Sequence, residues 1–157
     1  MKTRSMIFIF CLIASLGVAQ KIDANKVPKA VTDTFAKAYP GVKGVKWDKE
    51  KELFEASFDN NKQDMSVLFD ANGTVKEVET EIEQKDLPAS VKNSLAKEYA
   101  DYKVKEAAKI SADGVTTYEA EVTQGKKSFD FIFDANGKLL KKVETTKEKK
   151  EGKEAND

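Results

Sequence analysis

Carboxylates are the side chains through which this sequence could do chemistry. It contains no histidine and one cysteine, Cys11, which lies in an apolar run near the start of the chain. Without a second cysteine or an imidazole, thiol–imidazole catalysis and zinc sites built on Cys or His are excluded. The 27 basic and 27 acidic residues balance, so no broad basic field favours nucleic acid or an anionic membrane.

Two identical short segments offer carboxylate and amide oxygens. Asp70-Ala71-Asn72-Gly73 recurs as Asp134-Ala135-Asn136-Gly137. An EF-hand calcium loop needs further oxygen ligands, a glycine at its sixth position and a glutamate at its twelfth, whereas glycine is fourth here, between two strand-like runs. These segments are therefore predicted to be tight hairpin loops, with Asn72 or Gly73 in the left-handed conformation. No metal and no cofactor is expected.

Paired carboxylates can also catalyse glycoside hydrolysis, but this requires a cleft that holds two carboxyl groups at a controlled separation. No particular pair is marked in this chain, and a sheet surface seldom forms such a cleft. The chain is therefore interpreted as a non-enzyme with no catalytic residues.

A tandem duplication organises the chain. Val27-Pro28 recurs as Leu87-Pro88 at an offset of 60, and Phe54-Glu55-Ala56 recurs as Tyr118-Glu119-Ala120 at an offset of 64. Self-similarity at a fixed period indicates two copies of one supersecondary unit. The predicted organisation is a signal peptide at 1–19, repeat 1 at 20–83, repeat 2 at 84–146 and a charged, disordered tail at 147–157.

The first 19 residues match a secretory signal. Lys2 and Arg4 precede an apolar run, and small residues lead to a cleavage site between Ala19 and Gln20. Lipid attachment at Cys11 would need a small residue before it, and Phe10 is large. The protein is expected in the periplasm or outside the cell, without stable membrane insertion.

Each repeat is predicted to fold as one helix followed by about four antiparallel strands. In repeat 1 the apolar stripe of Val27, Val31 and Phe35 predicts a helix from Pro28 to Tyr39. Residues 20–26 are expected to be a polar lead-in, and 48–51 a turn. Alternating runs at 53–59 and 65–70 predict strands. The expected fold is α+β: one sheet of about eight strands with two helices packed on one face.

The other face of that sheet carries acidic residues with a few apolar ones at matching positions of the two copies. One hypothesis is a docking surface centred on Leu68 and Ile132 and rimmed by Glu55, Glu119 and Asp130, with an unidentified protein partner such as an enzyme or a peptidase. Trp47, the one tryptophan, is a further candidate contact, although such a residue more often completes a core. The alternatives are a merely solvated face, a small-ligand or cation site built on the same carboxylates, and an envelope stress protein with no single partner.

The order of these motifs resembles that of the PepSY-like, β-lactamase-inhibitor-like group of exported proteins. The shared features are a Val/Leu-Pro helix start, Tyr39-Pro40-Gly41 at the helix end, Trp47, an aromatic-Glu-Ala strand and Phe-Asp-x-x-Gly. They cover about residues 27–82 and again 87–145, although Ala100 replaces Pro40 and no tryptophan matches Trp47 in the second copy. The resemblance implies a periplasmic or secreted protein whose sheet face grips a partner.

Overall fold

The computed structural model of the protein describes residues 20–145. The signal peptide, Cys11 and the tail at 147–157 lie outside this range and stay predictions. The chain divides into two compact units between Thr80 and Glu81, and each is described separately below.

One amphipathic helix begins each unit's meander. Helix α1 spans Lys29–Ala38 and α2 spans Ala89–Glu98, each directly after a proline. Proline suits this place because its missing N–H would have no partner within the helix. Residues one turn apart point to the core: Val31 and Phe35 in α1, and Val91 and Leu95 in α2, are buried. The predicted helices are confirmed to within two residues at each end.

Unit 1 carries five antiparallel strands, listed here in chain order: β1 Gln20–Ile22, β2 Lys46–Glu50, β3 Leu53–Asn60, β4 Gln63–Asp70 and β5 Val75–Ile82. Strand β1 was expected to be a polar lead-in. It pairs with β2, with Ile22 opposite Trp47. Ile22 is its one apolar residue and packs against the core of unit 1.

The predicted turn at 48–51 is wrong in its position. Strand β2 continues to Glu50, and the chain turns at Lys51, whose φ is 54°. Alternation explains the strand, because Trp47 points into the core while Lys49 places its ammonium 5.7 Å from the centre of the Phe54 ring. The charged residues 48–50 concealed this alternation.

Unit 2 contributes four strands: β6 Lys103–Ala112, β7 Val115–Gln124, β8 Lys127–Asp134 and β9 Leu139–Thr145. Within each unit the strands neighbour one another in chain order, β1 to β5 in unit 1 and β6 to β9 in unit 2. The α+β class with antiparallel meanders is confirmed. Over residues 20–145 the two units carry nine strands rather than about eight, because β1 adds one.

Each unit has its own hydrophobic core on the helix side of its strands. In unit 1, Phe35 packs edge-on against Phe58, with ring centres 4.9 Å apart, and against Trp47 at 5.5 Å. In unit 2, Tyr99 packs edge-on against Phe131 at 5.0 Å. These edge-to-face geometries are the favourable ones for aromatic rings.

The two Asp-x-Asn-Gly segments are hairpin loops, as predicted. The backbone N–H of Gly73 donates to the carbonyl oxygen of Asp70, with an N···O distance of 2.9 Å, and Gly73 has a φ of 82°. A Cβ on Gly73 would lie 2.4 Å from the carbonyl oxygen of Ala30 in α1. Glycine is thus required both by the left-handed backbone and by the close approach to the helix.

The second hairpin is fastened to its helix by two hydroxyls. Ser90 Oγ donates to the carbonyl oxygen of Ala135, and Ser94 Oγ to that of Gly137, both at 2.6 Å. These bonds hold α2 against one side of the unit 2 strands.

Strand β9 carries an inward-pointing lysine. Lys142 pairs with Phe131 across β8 and β9, and its ammonium lies 2.6 Å from Tyr102 Oη. The same nitrogen is 4.5 Å from the ring centre of Phe129 and 4.7 Å from that of Tyr102, within cation–π range. The register shifts beside Phe133 in unit 2 and, equivalently, beside Phe69 in unit 1.

Candidate functional site

The pleat of each sheet gives a second face, opposite the helix. Because α1 packs with Phe54, Ala56 and Phe58, the alternating residues of β3 point the other way. We call this surface the polar face. In unit 1 it includes Lys21, Lys46, Asp48, Glu55, Ser57, Ser66, Leu68, Glu77 and Glu79, and in unit 2 Glu106, Ala108, Glu119, Glu121, Asp130, Ile132, Lys141 and Val143.

The centre of the polar face in unit 1 is a carboxylate. Glu55 on β3 is directly opposite Asp48 on β2 and Leu68 on β4. Glu55 is 7% exposed and Asp48 is 3% exposed, while Leu68 is half-buried. Side chains from both neighbouring strands therefore crowd Glu55, which is buried between them rather than lying at an exposed rim.

Asp48 is a second buried carboxylate of this face. Its Oδ2 has no hydrogen-bond partner among the described residues. Burial raises the pKa of the Asp48 carboxyl, and the nearby charges of Lys21 and Lys46 act in the opposite direction, to lower it. A buried carboxyl without a hydrogen bond on one oxygen is costly and uncommon in folded proteins.

Unit 2 repeats the central carboxylate with more burial. Glu119 on β7 is directly opposite Ala108 on β6 and Ile132 on β8. Glu119 and Ala108 are both 0% exposed, and Ile132 is 2% exposed. Ile132 is therefore part of the packed interior and not an exposed docking contact as predicted.

The neighbouring row of unit 2 brings three acidic residues together. Glu106, Glu121 and Asp130 follow one another across β6, β7 and β8 as direct cross-strand pairs, and all three are half-buried. Like charges directly opposite each other are unfavourable in a sheet. This row gives the polar face of unit 2 a strongly acidic character.

The structure sorts the predicted contact residues into three groups. The polar face contains two direct cross-strand pairs of predicted contacts, which are Glu55 with Leu68 and Glu119 with Ile132. Asp130 lies on that face too, two positions along β8 from Ile132. Trp47 does not, because its side chain is 7% exposed and belongs to the core of unit 1, which favours the core interpretation of this residue.

Sequence reasoning missed Asp48, since 48–51 looked like a turn. The repeat held the signal that could have found it. At the offset of 60, residues 46–50 align with 106–110, which the second copy shows as an evident strand. Aligning repeat 1 with repeat 2 would therefore have predicted a strand at 46–50 and placed Asp48 on the polar face, beside Glu55.

In the first Asp-x-Asn-Gly hairpin, the side-chain oxygen of Asp70 that could bind a metal already accepts hydrogen bonds from the backbone. Asp70 Oδ1 accepts from the N–H of Asn72 at 2.9 Å and of Thr74 at 3.0 Å, and these bonds, that of Thr74 first, lower the pKa of Asp70. Within residues 20–145 no group of three or more acidic side chains has a metal-binding arrangement.

No helix in the same range has the length and apolar character needed to cross a membrane.

Comparison with known proteins gives a family and a fold. The model of the PepSY-like family, described as a candidate β-lactamase-inhibitor-like group, matches residues 17–76 and 54–141. No curated protein matches the chain.

Solved structures of similar fold come from Bacteroides. A candidate periplasmic protein of Bacteroides eggerthii superposes with a TM-score of 0.70 at 22% identity, covering 75% of this chain and 88% of its own. A BLIP-like protein of Bacteroides fragilis has a TM-score of 0.64 at 27% identity, with coverages of 76% and 87%. Both have the architecture described above.

Proposed function

This chain belongs to the PepSY-like, β-lactamase-inhibitor-like family, and from that premise we propose that it is an exported, non-catalytic module that binds another protein through its polar face. Binding would inhibit or chaperone that partner. Export would follow cleavage between Ala19 and Gln20, in keeping with the periplasmic description of the Bacteroides eggerthii relative.

One observation carries the proposal: a buried glutamate stands at the centre of the helix-free face in both copies. Glu55 and Glu119 occupy the same repeat position, each on the second strand after its helix and each less than a tenth exposed. Burying a carboxylate costs free energy that an apolar residue would not. Because a buried glutamate occurs at this position in both copies despite this free-energy cost, we expect it to serve binding rather than stability.

The composition of the face fits a protein partner. Half-buried Leu68 and Ser66 lie next to the carboxylates, so apolar and polar contacts would be mixed, as in the interfaces of non-obligate complexes. Catalysis is less suited to this face, because a sheet surface seldom forms the cleft that a catalytic carboxylate pair needs.

The test is affinity capture with matched baits. The bait is the chain from residue 20 to 157, and the variant is Leu68→Asp, which adds a charge to a half-buried position of the polar face. The control is Asp33→Asn, on the solvent side of α1, where the aspartate side chain is 63% exposed. Trp47 fluorescence verifies that unit 1 is folded in every bait.

A captured protein is then purified and its affinity for the three baits is measured. We expect Leu68→Asp to weaken binding by about thirtyfold, the scale of an interface hot spot, and Asp33→Asn to leave it unchanged. Equal affinity for all baits would contradict the proposal. Calorimetry with calcium and magnesium on the wild type and Glu55→Gln would then test the alternative of a cation site.

A further inference from the structure

Two Asn-Gly pairs lie at the tips of the matching hairpins. Asn72-Gly73 and Asn136-Gly137 end the same five-residue segment, Phe-Asp-Ala-Asn-Gly, and both asparagines are exposed. Asparagine followed by glycine is especially prone to deamidation, because glycine has no side chain to shield its backbone nitrogen. Since the residues up to the glycine are identical, the two sites should have nearly equal intrinsic rates. A difference between them therefore reports the fold.

Deamidation uses the backbone nitrogen of the glycine as a nucleophile. After losing its proton, the nitrogen of Gly73 attacks the side-chain carbonyl carbon of Asn72. The new C–N bond closes a succinimide ring, and the side-chain nitrogen leaves as ammonia. Water then opens the ring to aspartate or to isoaspartate, in which the backbone runs through Cβ and is one atom longer.

The closed hairpin withholds this nitrogen. The N–H of Gly73 donates to the carbonyl oxygen of Asp70 at 2.9 Å, and the N–H of Gly137 donates to that of Asp134 at 3.0 Å. The proton is harder to remove while this bond is made, and the bond fixes the nitrogen within the turn. Reaction in the folded chain therefore needs local opening of the hairpin, and its rate follows the free energy of that opening.

The two hairpins are fastened to their helices differently. The hydroxyls of Ser90 and Ser94 in α2 each donate to a carbonyl oxygen of the second hairpin. Ala30 and Thr34 stand at the corresponding places of α1, at the offset of 60. Alanine has no hydroxyl, so the first hairpin has one such donor fewer and should open more often.

We infer that Asn72 is a deamidation site of the folded protein and that Asn136 is its protected counterpart. This inference is independent of the proposed binding role. One contact acts against it, because Lys76 Nζ lies 3.7 Å from Asp70 Oδ2 in the first hairpin. Both side chains of this ion pair are partly exposed, and such pairs contribute little.

The product matters for unit 1 because Gly73 is packed directly against α1. A Cβ on Gly73 would lie 2.4 Å from the carbonyl oxygen of Ala30, so the backbone has no room to shift toward the helix. The extra backbone atom of isoaspartate at position 72 should therefore displace the hairpin from α1. Molecules that carry it should unfold at a lower urea concentration than unmodified ones.

The test compares both sites within one molecule. The chain from residue 20 to 157 is incubated at mildly alkaline pH, in buffer and in guanidinium chloride above its unfolding transition. Mass spectrometry of proteolytic peptides measures the conversion of each asparagine, and the denatured sample gives the intrinsic rates. The variants are Ser90→Ala, which copies Ala30, and Ala30→Ser, which copies Ser90. Lys97→Ala, at an exposed position of α2, is the control.

We expect nearly equal rates in guanidinium chloride. In buffer, Asn72 should react about fivefold faster than Asn136, the factor that one net hydrogen bond supplies. Ser90→Ala should speed the reaction of Asn136 about fivefold, and Ala30→Ser should slow that of Asn72, while Lys97→Ala changes neither. Asn136 reacting as fast as Asn72 in buffer, no effect of either exchange, or no reaction of Asn72 in buffer while the denatured chain is converted would overturn the inference.

Discussion

Replacing Gly73 by alanine tests how the hairpin holds the helix against its sheet. The new methyl group would meet the carbonyl oxygen of Ala30 at 2.4 Å and Thr34 Oγ1 at 2.9 Å, both shorter than any ordinary contact of a Cβ atom. Gly41 is the matched control, because its φ of +83° is nearly the same as the +82° of Gly73, while nothing lies within 4 Å of a Cβ there.

The left-handed backbone should cost each alanine variant about 1–2 kcal/mol of unfolding free energy. In Gly73→Ala the hairpin must also move away from α1, and overpacking of this kind costs about 1–3 kcal/mol more. We therefore expect a loss of about 2–5 kcal/mol for Gly73→Ala and about 1–2 kcal/mol for Gly41→Ala.

Urea denaturation followed by Trp47 fluorescence measures both, since this tryptophan is buried in the core of unit 1. The denaturant slope should stay constant, so that the shift in midpoint reports stability alone. Equal losses in the two variants would refute the argument that the contact between the hairpin and α1 matters.

Three further outcomes are expected. Phe131→Ala should lower the unfolding free energy by about 3–5 kcal/mol in far-UV dichroism melts, because the ring is 0% exposed and leaves a cavity; a loss below about 1 kcal/mol would contradict its place in the core. The pKa of Asp48 is raised, so the folded chain holds the Asp48 proton more tightly than the unfolded chain does. The unfolding free energy of the wild type relative to Asp48→Asn should therefore fall as the pH rises from the ordinary pKa of 3.8 through the raised pKa. Thermal melts at stepped pH measure this free-energy difference, and a difference that stays flat or rises over this window would show that burial does not act on this group. Lys142→Val, which copies Val78 of unit 1, should raise the mass measured by light scattering at high protein concentration, because a charge on the core side of an edge strand protects that strand from pairing with another copy. The control Lys141→Val, on the other face of β9, should leave the mass unchanged. Equal masses for the two variants would contradict this protective role of Lys142.

The sequence predicted those elements in which one local rule decided the outcome. Proline followed by an apolar stripe gave both helices, and Asp-x-Asn-Gly gave both hairpins, because capping and left-handed turns depend on a few adjacent residues. Strand β1 escaped prediction because it has three residues and its one core contact, Ile22, is made with strands distant in sequence.

The candidate site was predicted in outline and missed in its details. Alternation placed Glu55 and Glu119 on the correct face, but it could not give their burial, which depends on the side chains directly opposite in neighbouring strands. Asp48 was hidden among charged residues, and Ile132 was assumed to be exposed. Cross-strand register, which no local pattern specifies, decided all of these.

Photocrosslinking in the source organism tests most directly that the polar face binds protein. A photoreactive amino acid replaces Ser66, half-buried on the polar face, or Asp33, on the solvent side of α1. Irradiation of living cells should give a discrete adduct of higher mass from position 66 and none from position 33. Adducts from both positions alike, or from position 33 alone, or no adduct at position 66, would contradict the claim.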